Sequence, residues 1–310
     1  MQNKLILEQK QSSAKVQTKS FTGKDLKVAL LFLLPSIVLF SLFVFYPMLK
    51  TIYTSLFLTS TGSKLVSFAG IENYLIAMKS SVFQNGFKST IIFVLATVPL
   101  TVIFGFLLAF LTSEKIRGMA FFRLIFSSTM GISVAASSIF WQFMFNPVNG
   151  YLNKVMLFFG QKPIGWLTDP KYAIYAVAFA TIWMNIGFIY IIFLGAIQSI
   201  ETSLFEAAAI QGVKKTYLMR KVIIPILSPT FYFVITVSII NSFQAFGQID
   251  MLTKGGPNNA TNTLVYQIYQ DSFINLNSGR ASAEAVILFI IIVVITLVQT
   301  KFSESKVHYQ

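Results

Sequence analysis

A short basic island interrupts an otherwise apolar chain, and its residues suit a contact surface better than a catalyst. Glu206-Ala207-Ala208-Ala209-Ile210-Gln211-Gly212 is followed by Lys214, Lys215, Arg220 and Lys221, then by Val222-Ile223-Ile224-Pro225. One carboxylate among several cations can form a charge-assisted bond with another protein's surface. Three alanines favour a helix and carry little bulk, so a partner can approach the backbone closely. Gly212 can take the positive φ that a sharp reversal demands. The island therefore reads as two short helices with Gly212 at the bend. Ser203 or Thr202 is placed to cap the first, with Glu206 near the third helical position as in a capping box. Pro225 is expected in the first turn of the helix that follows.

A second set of polar residues lies where the chain is most apolar. Asn241, Gln244 and Gln248 recur at offsets of three and four, which predicts one helical face, and Ser238 extends it by a turn. Amides both donate and accept, which suits a ligand with many hydroxyls. Trp183, Asn185 and Tyr190 add an amide and aromatic faces that could stack on a sugar ring. The competing reading is that such amides bond across helices as packing glue. Ser127, Ser128, Ser133, Ser137 and Ser138 read as small residues that let helices pack closely.

The elements that must hold these residues follow from composition. The chain has 310 residues, of which 55% are hydrophobic and 11% charged, with 32 Phe. A soluble domain carries about 25% charged residues. Half that leaves too little polar surface to coat a globule, so the chain is read as an all-α, polytopic membrane protein. With no Cys and a single His, His308, disulfide frameworks, thiol chemistry and His/Cys metal sites are excluded. A bilayer core of about 30 Å needs about 20 apolar residues in a helix. Six stretches qualify: Val28–Met48, Ser89–Leu111, Met119–Phe145, Tyr172–Ile200, Ile226–Gly247 and Ala281–Thr300. Arg123 and Glu284 are the formal charges inside them, each near an end where a long side chain can reach the headgroups. Pro35, Pro99 and Pro229 are expected to bend spans rather than break them.

Net charge is +13, with the bases scattered between apolar runs rather than gathered in a stripe, which argues for membrane orientation and against nucleic acid. With the N-terminus inside, the pieces 1–27, 113–123, 200–222 and 301–310 hold 15 of the 24 basic residues. The longer outer pieces, 49–88, 146–171 and 248–280, hold 9. Both termini are thus expected in the cytoplasm, with a retained tail over 1–27, six spans within 28–300 and a second tail over 301–310. The outer loops carry turn chemistry in Asn146-Pro147, Asn149-Gly150, Asp169-Pro170 and Gly255-Gly256-Pro257.

The spacing from Glu206 through Gly212 to Pro225 resembles the cytoplasmic docking loop of the inner-membrane permease subunits of binding-protein-dependent ABC importers. Leu34-Pro35-Ser36, Phe68-Ala69-Gly70-Ile71-Glu72-Asn73-Tyr74, Leu167-Thr168-Asp169-Pro170 and Leu252-Thr253-Lys254-Gly255-Gly256-Pro257 look like the carbohydrate branch, in the maltose and glycerol-3-phosphate permease group. The ending Glu304-Ser305-Lys306-Val307-His308-Tyr309-Gln310 looks like a glycerol-3-phosphate permease tail. The resemblance implies a bacterial inner-membrane, multi-pass subunit that pairs with a homologous second permease, two ATPase subunits and an external solute-binding protein. It implies no cofactor in this chain, with ATP and Mg bound by the ATPases, and carbohydrate or glycerol 3-phosphate as substrate. By resemblance, the loop 203–224 seats in an ATPase cleft, Glu206 pairs with a base there, Ala207 and Ala208 allow close approach, and span five lines the substrate site. Gln211 and Val213 depart from the Asp and Ala that many relatives carry, which leaves the loop's shape but removes any charge role at 211.

Two other classes compete with this reading. An ion-coupled secondary carrier needs acids or His at membrane depth, and here only Glu284 could serve. A membrane-embedded enzyme needs a cluster of acid, base or metal ligands, and the spans hold no such pair. The chain also lacks a phosphate-cradling Gly-x-x-x-x-Gly-Lys-Ser/Thr loop.

Overall fold

The computed structural model describes residues 23–304 apart from 61, 63 and 115. Most of the tail expected over 1–27, and the end of that over 301–310 with His308, lie outside the described residues. The chain divides into two units, residues 1–50 and 51–310. Span one runs Gly23–Phe40, takes a π-turn over Ser41–Phe45 and continues as Tyr46–Ser55, with Pro35 inside it. Its apolar rod, Lys27–Ser55, has 29 residues, or about 44 Å at 1.5 Å each, more than the bilayer core requires.

In the second unit, span two is Ser81–Thr112, span four Ala173–Gln198 and span six Ser278–Glu304. The remaining two are bent. Span three breaks into Met119–Gly131 and Val134–Met144 at 106°, and span five into Lys215–Ile226 and Ser228–Phe243 at 74°. The expected uninterrupted runs Met119–Phe145 and Ile226–Gly247 are corrected accordingly. In span three, Thr129–Gly131 tightens to a 3-10 turn, and Ile132 and Ser133 are extended at ψ 128° and 154°. Ser133 then restarts the helix, its hydroxyl accepting from the Ala136 amide at 3.2 Å. In span five the break is Leu227, followed by Ser228-Pro229 at the start of the next helix.

The all-α expectation gains one exception. After span one, Phe57–Thr59 (β1) and Leu65–Phe68 (β2) form an antiparallel hairpin with Phe57 opposite Phe68. Asn73, on the helix Glu72–Lys79, locks its start by donating to the Ser55 and Phe57 carbonyls at 2.9 and 2.8 Å. Between spans three and four, Asn153 does similar work. Its amide bonds Pro147 and Ile164 carbonyls, the Ile164 amide and the Trp166 indole, all within 3.0 Å.

Spans two and four pack along their lengths and carry the main core. Lipid gives helices no hydrophobic reason to associate, so close packing and hydrogen bonds must do it. Phe106, Phe193 and Phe231 interlock with ring centroids 4.6–5.4 Å apart. Thr97 bonds Ser242 at 3.0 Å, tying span two to span five. A second cluster gathers Trp141, Phe145, Val177, Ile249 and Tyr266. Neither expected snorkelling charge reaches outward. Half-buried Arg123 turns back onto the end of span two, donating to the Thr112, Ser113 and Glu114 carbonyls at 2.9–3.2 Å. The Thr112 and Ser113 carbonyls end the helix without an intrahelical donor, and the guanidinium supplies one. Glu284 is 1% exposed and bonded to Arg280.

Candidate functional site

The basic island forms a helix–turn–helix after span four, whose second arm is the first half of the bent span five. Its first helix is Thr202–Ile210. Glu201 is the cap residue, without a side-chain cap bond, and Ser203 instead donates to the Glu201 carboxylate at 3.2 Å. The expected capping box is therefore absent, because starting at Thr202 puts Glu206 beyond the third helical position. The turn itself closes as a Schellman motif. Gly212, at φ +62°, donates its amide to Ala209 O at 3.1 Å, and Val213 donates to Ala208 O at 3.0 Å.

The two sides of this hairpin differ. Phe205, Leu218, Met219 and Ile224 pack on the main core, and Ile223 is fully buried there. Glu206, Ala207 and Ile210 face outward, with Ile210 87% exposed. The second helix, Lys215–Leu218, passes through a π-turn at Met219–Ile223 into Ile224–Ile226. Pro225 sits in the first turn of the short helix Ile224–Ile226, as expected, within the first half of the bent span five. It cannot donate to a carbonyl one turn back, and the helix breaks at Leu227. Beneath the loop lies a cavity of about 740 Å³ whose walls include Phe110, Arg123, Phe205, Ala208 and Val213. Lys215 pairs with Glu114, from the tight loop after span two.

The structure separates the expected path residues. Asn241 is exposed on the helix Ser228–Phe243, and Gln244 is exposed just past its end. Gln248 is not on that face. The helix stops at Phe243, the chain turns, and Gln248 falls on the short helix Gly247–Leu252. There it is buried, bonded to the Thr181 hydroxyl and near Ser137 and the Ala180 carbonyl. That is packing between spans three, four and five. Tyr190 is likewise enclosed, at 0% exposure, with its hydroxyl 2.8 Å from Thr112 Oγ1. Asn185 is half-buried on span four, and Ser238 is buried with an unpartnered hydroxyl. Glu114, Arg123 and Val213 also frame the loop; the sequence signal for them was only a charge or a branched residue beside a turn.

A bundle of apolar helices thus carries a helix–turn–helix after span four, with one side packed on the core and the other exposed. Residues 74–307 match the model of the binding-protein-dependent transport system inner membrane component, and the chain belongs to that family. It is 33% identical over 278 residues to the sn-glycerol-3-phosphate transport system permease protein UgpA of Agrobacterium fabrum, covering 89% of this chain and 94% of that one. Its identity to the UgpA of Brucella suis is 34% over 297 residues, 95% of this chain and 100% of the relative. A chain from the crystal structure of a bacterial ABC transporter involved in the import of the acidic polysaccharide alginate shares the fold. The TM-score is 0.79 at 21% identity, over 91% of this chain and 98% of that one. The protein is thus a permease subunit of the inner membrane, and the ion-coupled alternative is displaced. The acid on which that alternative relied, Glu284, is tied up with Arg280.

Proposed function

We propose that this chain forms half of the transmembrane path of an importer for a carbohydrate or glycerol 3-phosphate. A homologous second permease supplies the other half. Two ATPase subunits hold ATP and Mg and grip the loop 203–224, which faces the cytoplasm together with both termini. A solute-binding protein meets the loops 49–88, 146–171 and 248–280 on the other side. The observation that carries this reading is the two-sidedness of the loop. Small residues and Glu206 face outward, while Phe205, Leu218 and Ile223 are fused to the core of spans two, four and five. A force on the outer face must therefore move the spans.

For the solute, the support is the relatives' names and the exposed amides of Asn241 and Gln244, which can bond hydroxyls. Asn185 is a secondary candidate. Arg123 and Arg280, both at span ends, are engaged with oxygens of this chain, so neutralising a phosphate would fall to the second permease. The test is uptake by the reconstituted complex, with binding protein, against glycerol 3-phosphate and a panel of neutral sugars. Uptake of none of them, with ATP hydrolysis intact, overturns the solute class. Hydrolysis unaffected by removal of this subunit overturns the coupling.

A further inference from the structure

Behind the outward face of the loop 203–224 lies a space that neither the docking contact nor the solute path uses. Its volume of about 740 Å³ falls in the range of about 300–1,000 Å³ common to small-molecule sites. Phe110 and Ile197, from the last turns of spans two and four, form part of the wall, as does Arg123 near the start of span three. Phe205, Ala208 and Leu218 come from the inner side of the helix–turn–helix. Glu206, Ala207 and Ile210 on its outer side do not line the cavity, and neither do Asn241 and Gln244.

Most of the wall is apolar, and its formal charges are Glu114, Arg123 and Lys215. Glu114 and Lys215 pair with each other, which leaves Arg123. Its Nε and Nη2 are taken up by the carbonyls at the end of span two, at 2.9–3.2 Å. Nη1 makes no hydrogen bond among the described residues, and no carboxylate among them pairs with the guanidinium. A half-buried cation surrounded only by carbonyl dipoles keeps an unmet attraction for an anion, and a guanidinium fork suits a phosphate.

The depth of the cavity says which phosphate. Spans two and four end here and span three begins, so in a bilayer the cavity lies at the level of the headgroups. Basic pockets between helix ends bind anionic lipid headgroups there. A free anion would meet Arg123 but leave the apolar walls in water. We infer that the cavity takes one anionic membrane lipid, with an acyl chain against Phe110, Ile197, Phe205 and Leu218 and the headgroup phosphate on Arg123. Such a lipid touches both the hairpin and the ends of spans two and four, so its presence stiffens the link through which a force on the loop reaches the spans. The consequence for coupling, and the leaflet that supplies the lipid, rest on the function proposed above. Binding does not, and it is read on this chain without the ATPases.

In the experiment, the full-length chain in a non-ionic detergent is titrated with phosphatidylglycerol, with phosphatidylcholine of the same chains, and with inorganic phosphate. Native mass spectrometry counts bound lipid, and thermal melts follow stability. The exposed Gln198 also lines the cavity and makes no side-chain hydrogen bond among the described residues, so a charge can be placed there without disturbing packing. Phosphatidylglycerol should bind as a single copy and raise the melting temperature, with phosphatidylcholine and phosphate much weaker. Gln198→Glu should weaken phosphatidylglycerol on the order of tenfold and Gln198→Lys should tighten it, since a unit charge on the wall acts directly on the headgroup. Arg123→Gln should abolish the preference for phosphatidylglycerol over phosphatidylcholine; should that variant fail to fold, the Gln198 pair decides. Equal affinity in wild type and both Gln198 variants would mean lipid gathered loosely by a chain of net charge +13, and overturns the site. Stabilisation by inorganic phosphate as large as by phosphatidylglycerol overturns the lipid. Binding as expected, with ATP hydrolysis by the assembled complex indifferent to the lipid, upholds the site and removes its link to coupling.

Discussion

The Val213 amide reaches back to the Ala208 carbonyl at 3.0 Å, across the left-handed Gly212. Both residues also line the cavity beneath the loop, so the turn that ends one helix is the wall of the space behind it. A Cβ at position 212 would meet nothing within 4 Å, and the constraint is therefore on φ rather than on room. Gly212→Val should cost about 1–3 kcal/mol locally, since a β-branched residue is poorly tolerated in that region. Gln211→Asp, at an exposed residue with ordinary φ, should be nearly silent. Transport-coupled ATP hydrolysis by the assembled complex measures both. Equal rates in the two variants would show that coupling does not depend on the reversal.

Glu206→Lys should uncouple the subunit while leaving it folded and inserted. The side chain is exposed, and none of its bonds within this chain would be lost. Co-purification of the ATPase and transport-linked hydrolysis should both fall, while the stability of the isolated chain, followed by thermal melts, should stay within about 0.5 kcal/mol of wild type, as at most surface sites. Wild-type co-purification in the mutant would remove Glu206 from the contact.

Leu substitutions should separate the amides by burial. Asn241→Leu and Gln244→Leu change exposed positions, so uptake should fall with assembly intact. Gln248→Leu instead breaks the bonds to Thr181 and Ser137, and should cost about 0.6–2 kcal/mol of stability. Thermal melts and uptake on the same preparations test the split. A stable Gln248→Leu with lost uptake would return Gln248 to the path.

Gly187→Ala should destabilise the junction of spans three and four. An added Cβ would run into the Thr129 hydroxyl and lie 3.0 Å from both the Met130 amide nitrogen and the Phe126 carbonyl oxygen. Two of those are backbone atoms that cannot swing away, so overpacking of about 1–3 kcal/mol is expected. The readout is melting temperature, and a rise or no change would contradict the close approach.

Sequence made the membrane class, the number of apolar stretches and the reversal at Gly212 legible, because each depends on local composition or on one residue's φ. It did not show where spans bend. The break at Ile132-Ser133 has no proline or glycine pair at the corner, and depends on Thr129 accepting the Gly187 amide from another span. The face carrying Asn241 and Gln244 was readable, but Gln248 was not, because periodicity assumes that the helix continues past Phe243. Tyr190 looked available to a sugar for the same reason that it is buried: an aromatic ring with a hydroxyl serves equally well against Thr112 and Phe126.

The ion pair between Glu114 and Lys215 joins two exposed side chains, and such pairs add little to stability. Its meaning is directional. Glu114 follows the end of span two, and Lys215 follows the end of span four, so those two ends lie together. Span four is one unbroken helix of 26 residues, long enough to cross once, and a single crossing requires the chain between Glu114 and its start to reach the opposite face. Within that interval the apolar crossing is the broken pair Met119–Met144. Despite its 106° corner, that pair is long and apolar enough to serve as one span, and such a crossing sets the loop 203–224 on the same side as the loop after span two.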